Sequence, residues 1–92
     1  MRPLSQAVPA ALAEILRAAP LSDGKVSFAW RTAVGPALER VTAVKLVQHV
    51  LVVETASPQW SHEIMRSSPL ILRRLQNLLG AAVVEKIDVR RA

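Results

Sequence analysis

Six prolines and three glycines set the first limit on what this chain can fold into. Proline has no backbone donor and fixes φ, so it suits a helix's first turn and ends or kinks a helix elsewhere. Glycine suits caps and turns. Pro20, Gly35-Pro36, Pro58, Pro69 and Gly80 divide the chain into short elements, with no repeat, no low-complexity tract and no linker between them. No apolar run approaches the ~18 residues of a membrane span. The opening MRPLSQAVPAALAEILRAA imitates a signal peptide, but Glu14 and Arg17 interrupt its apolar run, so it reads as a helix of the mature protein.

Periodicity names the elements. Val8, Leu12, Ile15 and Leu16 share one face of a first helix over 5–18, with Pro9 in its first turn. Ser22 or Asp23 caps a second helix. Its stripe of Val26, Trp30, Ala33, Val34, Ala37, Leu38 and Val41 runs through Gly35-Pro36, which should kink or split it. Residues 42–47 and 50–56 read as strands joined at Gln48-His49, a turn without the glycine a tight hairpin prefers. The 50–56 strand is apolar on both faces and so belongs in the middle of its sheet. Ser57-Pro58 opens a helix over 58–66, and Ser67-Ser68-Pro69 repeats that signal for another over 69–79, capped by Gly80. Residues 83–90 alternate, with Val83, Ile87 and Val89 on one face and Lys86, Asp88 and Arg90 on the other. The order α-α-β-β-α-α-β makes an α+β two-layer sandwich, a three-stranded sheet with helices on one face.

At 92 residues this is a single domain, and such a chain buries only roughly 60–65% of its unfolded surface. That suffices for one small core and not for a large enclosed cavity. A hydrophobic fraction of 51% argues against disorder. The absence of cysteine removes disulfides, thiolate catalysis and cysteine-bound zinc, and fits a reducing cytoplasm. Net charge is +5, and nine of the twelve basic residues are arginine, a balance that favours acidic partners such as nucleic acid.

Several ordered residues carry a resemblance. They are Trp30-x-x-x-Val34-Gly35-x-x-Leu38, Leu46 with the strand Val50-x-Val52, Ala56-Ser57-x-x-Trp60-x-x-Glu63-Ile64, Leu72-x-x-Leu75-Gln76-x-x-Leu79-Gly80, and the closing Ile87-Asp88-Val89-Arg90. Together they resemble the bacterial DciA-like family over residues 22–91, leaving 5–18 as an extra N-terminal helix. The resemblance implies a type II KH-like fold, whose α-β-β-α-α-β order agrees with the reading above. It also implies a role in bacterial DNA replication, with the replicative DNA helicase as partner and DNA as a weak contact. A flexible basic tail beyond the globular part is implied too, whereas these 92 residues stop at Arg90-Arg91-Ala92.

KH domains clamp nucleotides with a Gly-x-x-Gly loop between paired helices. The matching corner here is Arg66-Ser67-Ser68-Pro69, which has no glycine and has lost one backbone donor at the proline. It offers two hydroxyls, an arginine and the start of a helix instead. Arg66, Ser67, Ser68, Arg73, Arg74, Lys86, Arg90 and Arg91 are therefore the candidate nucleic-acid contacts, one strip if the fold gathers them and a dispersed solvated surface if not. Trp30, Gly35 and Trp60 read as structural. Both indoles should turn into the core, and Gly35 should allow close helix–sheet approach. Trp60 otherwise serves as a stacking platform or partner anchor. The N-terminal stripe packs on the core, or else meets a partner or a second copy. His62-Glu63-x-x-Arg66 lacks the second histidine of a zinc-protease motif. No nucleophile–base pattern appears, so the expectation is no enzyme, no metal and no cofactor. The leading expectation is a replication adaptor; an RNA- or single-strand-binding module is the alternative.

Overall fold

The computed structural model describes residues 10–91. Within them lie α1 (Ala10–Ala18), α2 (Asp23–Val34), α3 (Pro36–Arg40), β1 (Ala43–Val47), β2 (Val50–Thr55), α4 (Pro58–Leu79) and β3 (Lys86–Arg91). The expected contacts of Val8 and Pro9, and the side chain of Leu12, lie outside the described residues.

Local chemistry accounts for most of the boundaries. Ser22 caps α2 through its hydroxyl, which accepts from the Lys25 amide at 3.1 Å. Gly35 separates α2 from α3 with φ 91 and ψ 164, a backbone region essentially reserved for glycine. The space around its Cα is open, with nothing within 4 Å of an added Cβ. Gly35 is thus required for its backbone conformation, not for the close helix–sheet approach expected of it. Ser57 caps α4, accepting from the Trp60 amide at 3.3 Å, with Pro58 in the first turn.

The sheet runs β1-β2-β3, with β1 antiparallel and β3 parallel to the central β2. This mixed sheet with helices over one face is the two-layer KH-like arrangement. Gln48 and His49 form the β1–β2 turn with φ 48 and 68, the positive values that a type I′ hairpin turn requires at both central positions. The His49 carbonyl also accepts from the Glu85 amide at 2.7 Å, which brings the approach to β3 against the hairpin.

Register assigns the two faces of the sheet. Val44, Leu46, Leu51, Val53, Ile87 and Val89 face the helices. Beneath them lie Val26, Ala29, Trp30, Ala33, Ile64, Ile71, Leu75, Leu78 and Val84, all buried. Alternation puts Lys45, Val52 and Asp88 in one row on the other face, and Glu54 beside Arg90 in another.

Two differences from the expected order matter. First, Gly35-Pro36 splits the second helix into α2 and α3, one of the two outcomes expected there, which adds a helix to the count. Second, residues 58–79 form one unbroken helix with Pro69 inside it, not two helices around a corner. The helix order is therefore α-α-α-β-β-α-β. At 22 residues α4 spans roughly 33 Å. α1 packs on α4 through Leu16. Its end is fastened by the Lys25 ammonium, which donates to the Ala19 carbonyl at 2.7 Å, and by Arg17, which donates to the Asn77 carbonyl at 2.6 Å.

Candidate nucleic-acid and partner interface

The continuous helix removes the corner on which the phosphate site was to stand. Arg66, Ser67 and Ser68 sit in the middle of α4, and no helix begins at Pro69. The Ser68 hydroxyl donates to the Met65 carbonyl at 2.9 Å. Ser67 is half-buried and lines a groove toward α2 and α3. Neither hydroxyl belongs to a loop able to wrap a phosphate.

A helix turns about 100° per residue, which places the arginines of α4. Arg66 and Arg73 lie about half a turn from the buried stripe of Ile64, Ile71 and Leu75, on the helix's outer side, with a rise of roughly 10 Å between them. Arg66 pairs with Glu63 at 2.7 Å, an exposed contact of the kind that contributes little to stability. Arg74 points toward α2, where its guanidinium donates to the Ala33 carbonyl at 3.0 Å. It closes the end of that helix, where a cation is favoured.

Lys86 and Arg90 occupy the open face of the sheet, on the far side of the sandwich from Arg66 and Arg73. Arg90 is held by Asp88 at 2.9 Å. Arg91 stands opposite Thr55, a buried residue of the helix-facing side, at the end of β3. Of the eight candidates, Arg66 with Arg73 and Lys86 with Arg90 thus lie on two separate faces, while Arg74, Arg91 and the two serines belong to neither, so there is no single strip.

The tryptophans part company. Trp30 is 1% exposed, and its Nε1 donates to the Thr42 hydroxyl at 2.9 Å. Trp60 is 39% exposed at the head of α4, so its expected place in the core is corrected. Its position one turn before Ile64 does aim it toward the sheet side of the helix. Spacing fixes that direction but cannot ensure that another element covers the ring.

The structure also exposes apolar residues that the sequence reading passed over. Met65 and Leu70 on α4 are 59% and 47% exposed. Leu70 borders an open groove of about 220 Å³ between α2, α3 and α4, lined also by Ala33, Val34, Leu38, Glu63, Ser67, Ile71 and Arg74. A usable signal was present, because Leu70 falls well away from the Ile64–Ile71–Leu75 stripe on a helical projection. Among the described residues no group of three or more metal-ligating side chains converges. No described helix is long and apolar enough to cross a membrane.

A small KH-like domain with an aromatic and several aliphatic side chains at its surface, flanked by arginine, defines the class: an interaction domain. The family model described as "Dna[CI] antecedent, DciA" matches residues 3–89, and the chain belongs to the DciA family. That match extends across α1. No curated protein and no solved structure matches the chain. Membership places it among proteins with a role in bacterial DNA replication and helicase loading, a family of non-catalytic adaptors.

Proposed function

We propose that this protein is a replication adaptor that binds the replicative DNA helicase directly and touches DNA weakly. The observation that carries the reading is Trp60. In a chain with three aromatic residues, one indole stands 39% exposed at a helix head, in a family tied to helicase loading. Tryptophan is among the residues most enriched at interface hot spots, because a half-covered ring offers a large area to a partner. A cytoplasmic location goes with this role.

Interferometry against the helicase of the same bacterium tests it. The wild-type chain is expected to bind, and Trp60→Ala to weaken binding about tenfold or more, within the range of truncated hot spots. Thermal unfolding of the variant checks that the fold survives. No binding by the wild-type chain would reject the adaptor reading.

The DNA contact rests on the two basic faces, Arg66 with Arg73 on α4 and Lys86 with Arg90 on the sheet. Contacts to phosphates alone give affinity that falls with salt at a slope of about −0.9 per phosphate on duplex, and less on single strands. With two basic side chains to a face, a slope no steeper than about −2 is expected when labelled duplex is titrated from 50 to 200 mM salt. A flat response would remove nucleic acid from the list of partners. Tighter binding of RNA or single strands than of duplex would favour the alternative module over the adaptor.

A further inference from the structure

The geometry points to the groove between α2–α3 and α4 as the seat of a short acidic, amphipathic helix of the protein partner. The inference rests on the helicase-binding reading above and names the surface and the chemistry that it would use.

The floor and one wall are apolar: Val34, Leu38, Leu70 and Ile71. At about 220 Å³ the groove falls below the range of roughly 300–1,000 Å³ usual for small-molecule pockets. It suits one or two inserted side chains, as when a helix lays its apolar face into a groove. On α4, positions 60, 67 and 74 are spaced by sevens and stay within about 40° of one another. Trp60 therefore continues the Ser67–Arg74 wall beyond the groove's end. A partner helix lying along that wall would meet Leu70 and the indole, with Ser67 and Glu63, the latter held by Arg66, between them.

Charge decides what kind of helix. Arg74 is half-buried beside the leucines, with one guanidinium N–H spent on the Ala33 carbonyl. Arg73 lies next to it on the outer rim. The ion pairs among the described residues are Arg66–Glu63 and Arg90–Asp88, so neither Arg73 nor Arg74 has a carboxylate partner there. A guanidinium has five donors in a fork that matches a carboxylate. A half-buried one without counter-charge, beside an apolar slot, selects a ligand that brings an acid and an aliphatic anchor together. Phosphate would satisfy the arginines but leave Val34, Leu38 and Leu70 uncovered. That favours a protein segment over nucleic acid.

The experiment measures binding of the full chain to the purified helicase of the same bacterium, alongside hydrogen exchange with and without it. Leu70→Glu changes an exposed side chain, so the fold should persist, and it sets a like charge against the acidic helix. A loss of affinity of about tenfold or more is expected, and Arg73→Glu should lower affinity in the same direction. Lys45→Glu, on the open face of the sheet, should bind as the wild type does. Slowed exchange should appear in residues 33–38 and 63–74. Wild-type affinity in Leu70→Glu, or protection confined to the sheet, would overturn the groove while leaving helicase binding intact. Failure of the wild-type chain to bind would reject both. Protection of 63–74 by a 20-base-pair duplex and not by the helicase would assign the surface to DNA and overturn the proposal.

Discussion

Trp30→Ala is expected to remove about 3–5 kcal/mol of folding stability, the range for truncating a buried aromatic. For 92 residues the whole margin is about 5–14 kcal/mol, so this one change brings the domain close to unfolding. Two effects combine at the site. The ring is 1% exposed among Ala29, Ala33, Ile64 and the rest of the core cluster, and its loss leaves a cavity. Its Nε1 donates to the Thr42 hydroxyl, which in turn donates to the Leu38 carbonyl at 2.9 Å. That chain links α2 to the end of α3 and the start of β1. Trp30→Phe separates the two effects, since it keeps most of the volume and loses the bond, with an expected cost of about 1–2 kcal/mol. Urea unfolding checks both variants through the midpoint at constant slope. A Trp30→Ala cost below about 1 kcal/mol would mean that the indole does not hold the core.

The contrast with Trp60 shows what the sequence made legible. Both tryptophans sit on apolar helical stripes, and periodicity predicts the same inward direction for both. Trp30 lies mid-helix between elements that close over it. Trp60 lies in the first turn of α4, at the end of the helix, where it stays 39% exposed. Family membership survives the exposed indole, because the match over residues 3–89 carries it and not the burial of each residue. The central place of β2 was readable for a stronger reason. A strand apolar on both faces has nowhere else to go, and Leu51, Val52 and Val53 are all buried. The basic residues were readable as residues but not as a surface. Arg66 and Arg73 share a helix whose continuity Pro69 had concealed, while the alternation of β3 puts Lys86 and Arg90 on the opposite side of the sandwich.

That continuity makes its own prediction. Pro69→Ala is expected to stabilise the domain by about 1–3 kcal/mol, because proline in a helix interior is worse than alanine by about 3 kcal/mol. Proline at 69 cannot donate to the carbonyl four residues back, that of Met65. The Ser68 hydroxyl donates to that carbonyl instead, at 2.9 Å, which recovers part of the loss. The remainder is outweighed downstream. Ile71, Leu75 and Leu78 stay in phase with Ile64 only if the helix does not break, and burying a side chain of this size gains about 1.5–3 kcal/mol. Three of them exceed the cost of one proline. Ser57-Pro58 and Ser67-Ser68-Pro69 look alike in sequence but differ in this way. Ser57 accepts from an amide and starts a helix, whereas Ser68 donates to a carbonyl and carries one through. A double-mutant cycle reads the difference directly. Ser68→Ala should cost about 1 kcal/mol beside Pro69 and close to nothing beside alanine, whose amide takes over the Met65 carbonyl. An equal cost in both backgrounds would show that the hydroxyl is not standing in for the missing amide. A Pro69→Ala variant that melts below the wild type would show that the helix does not tolerate its proline in the way described.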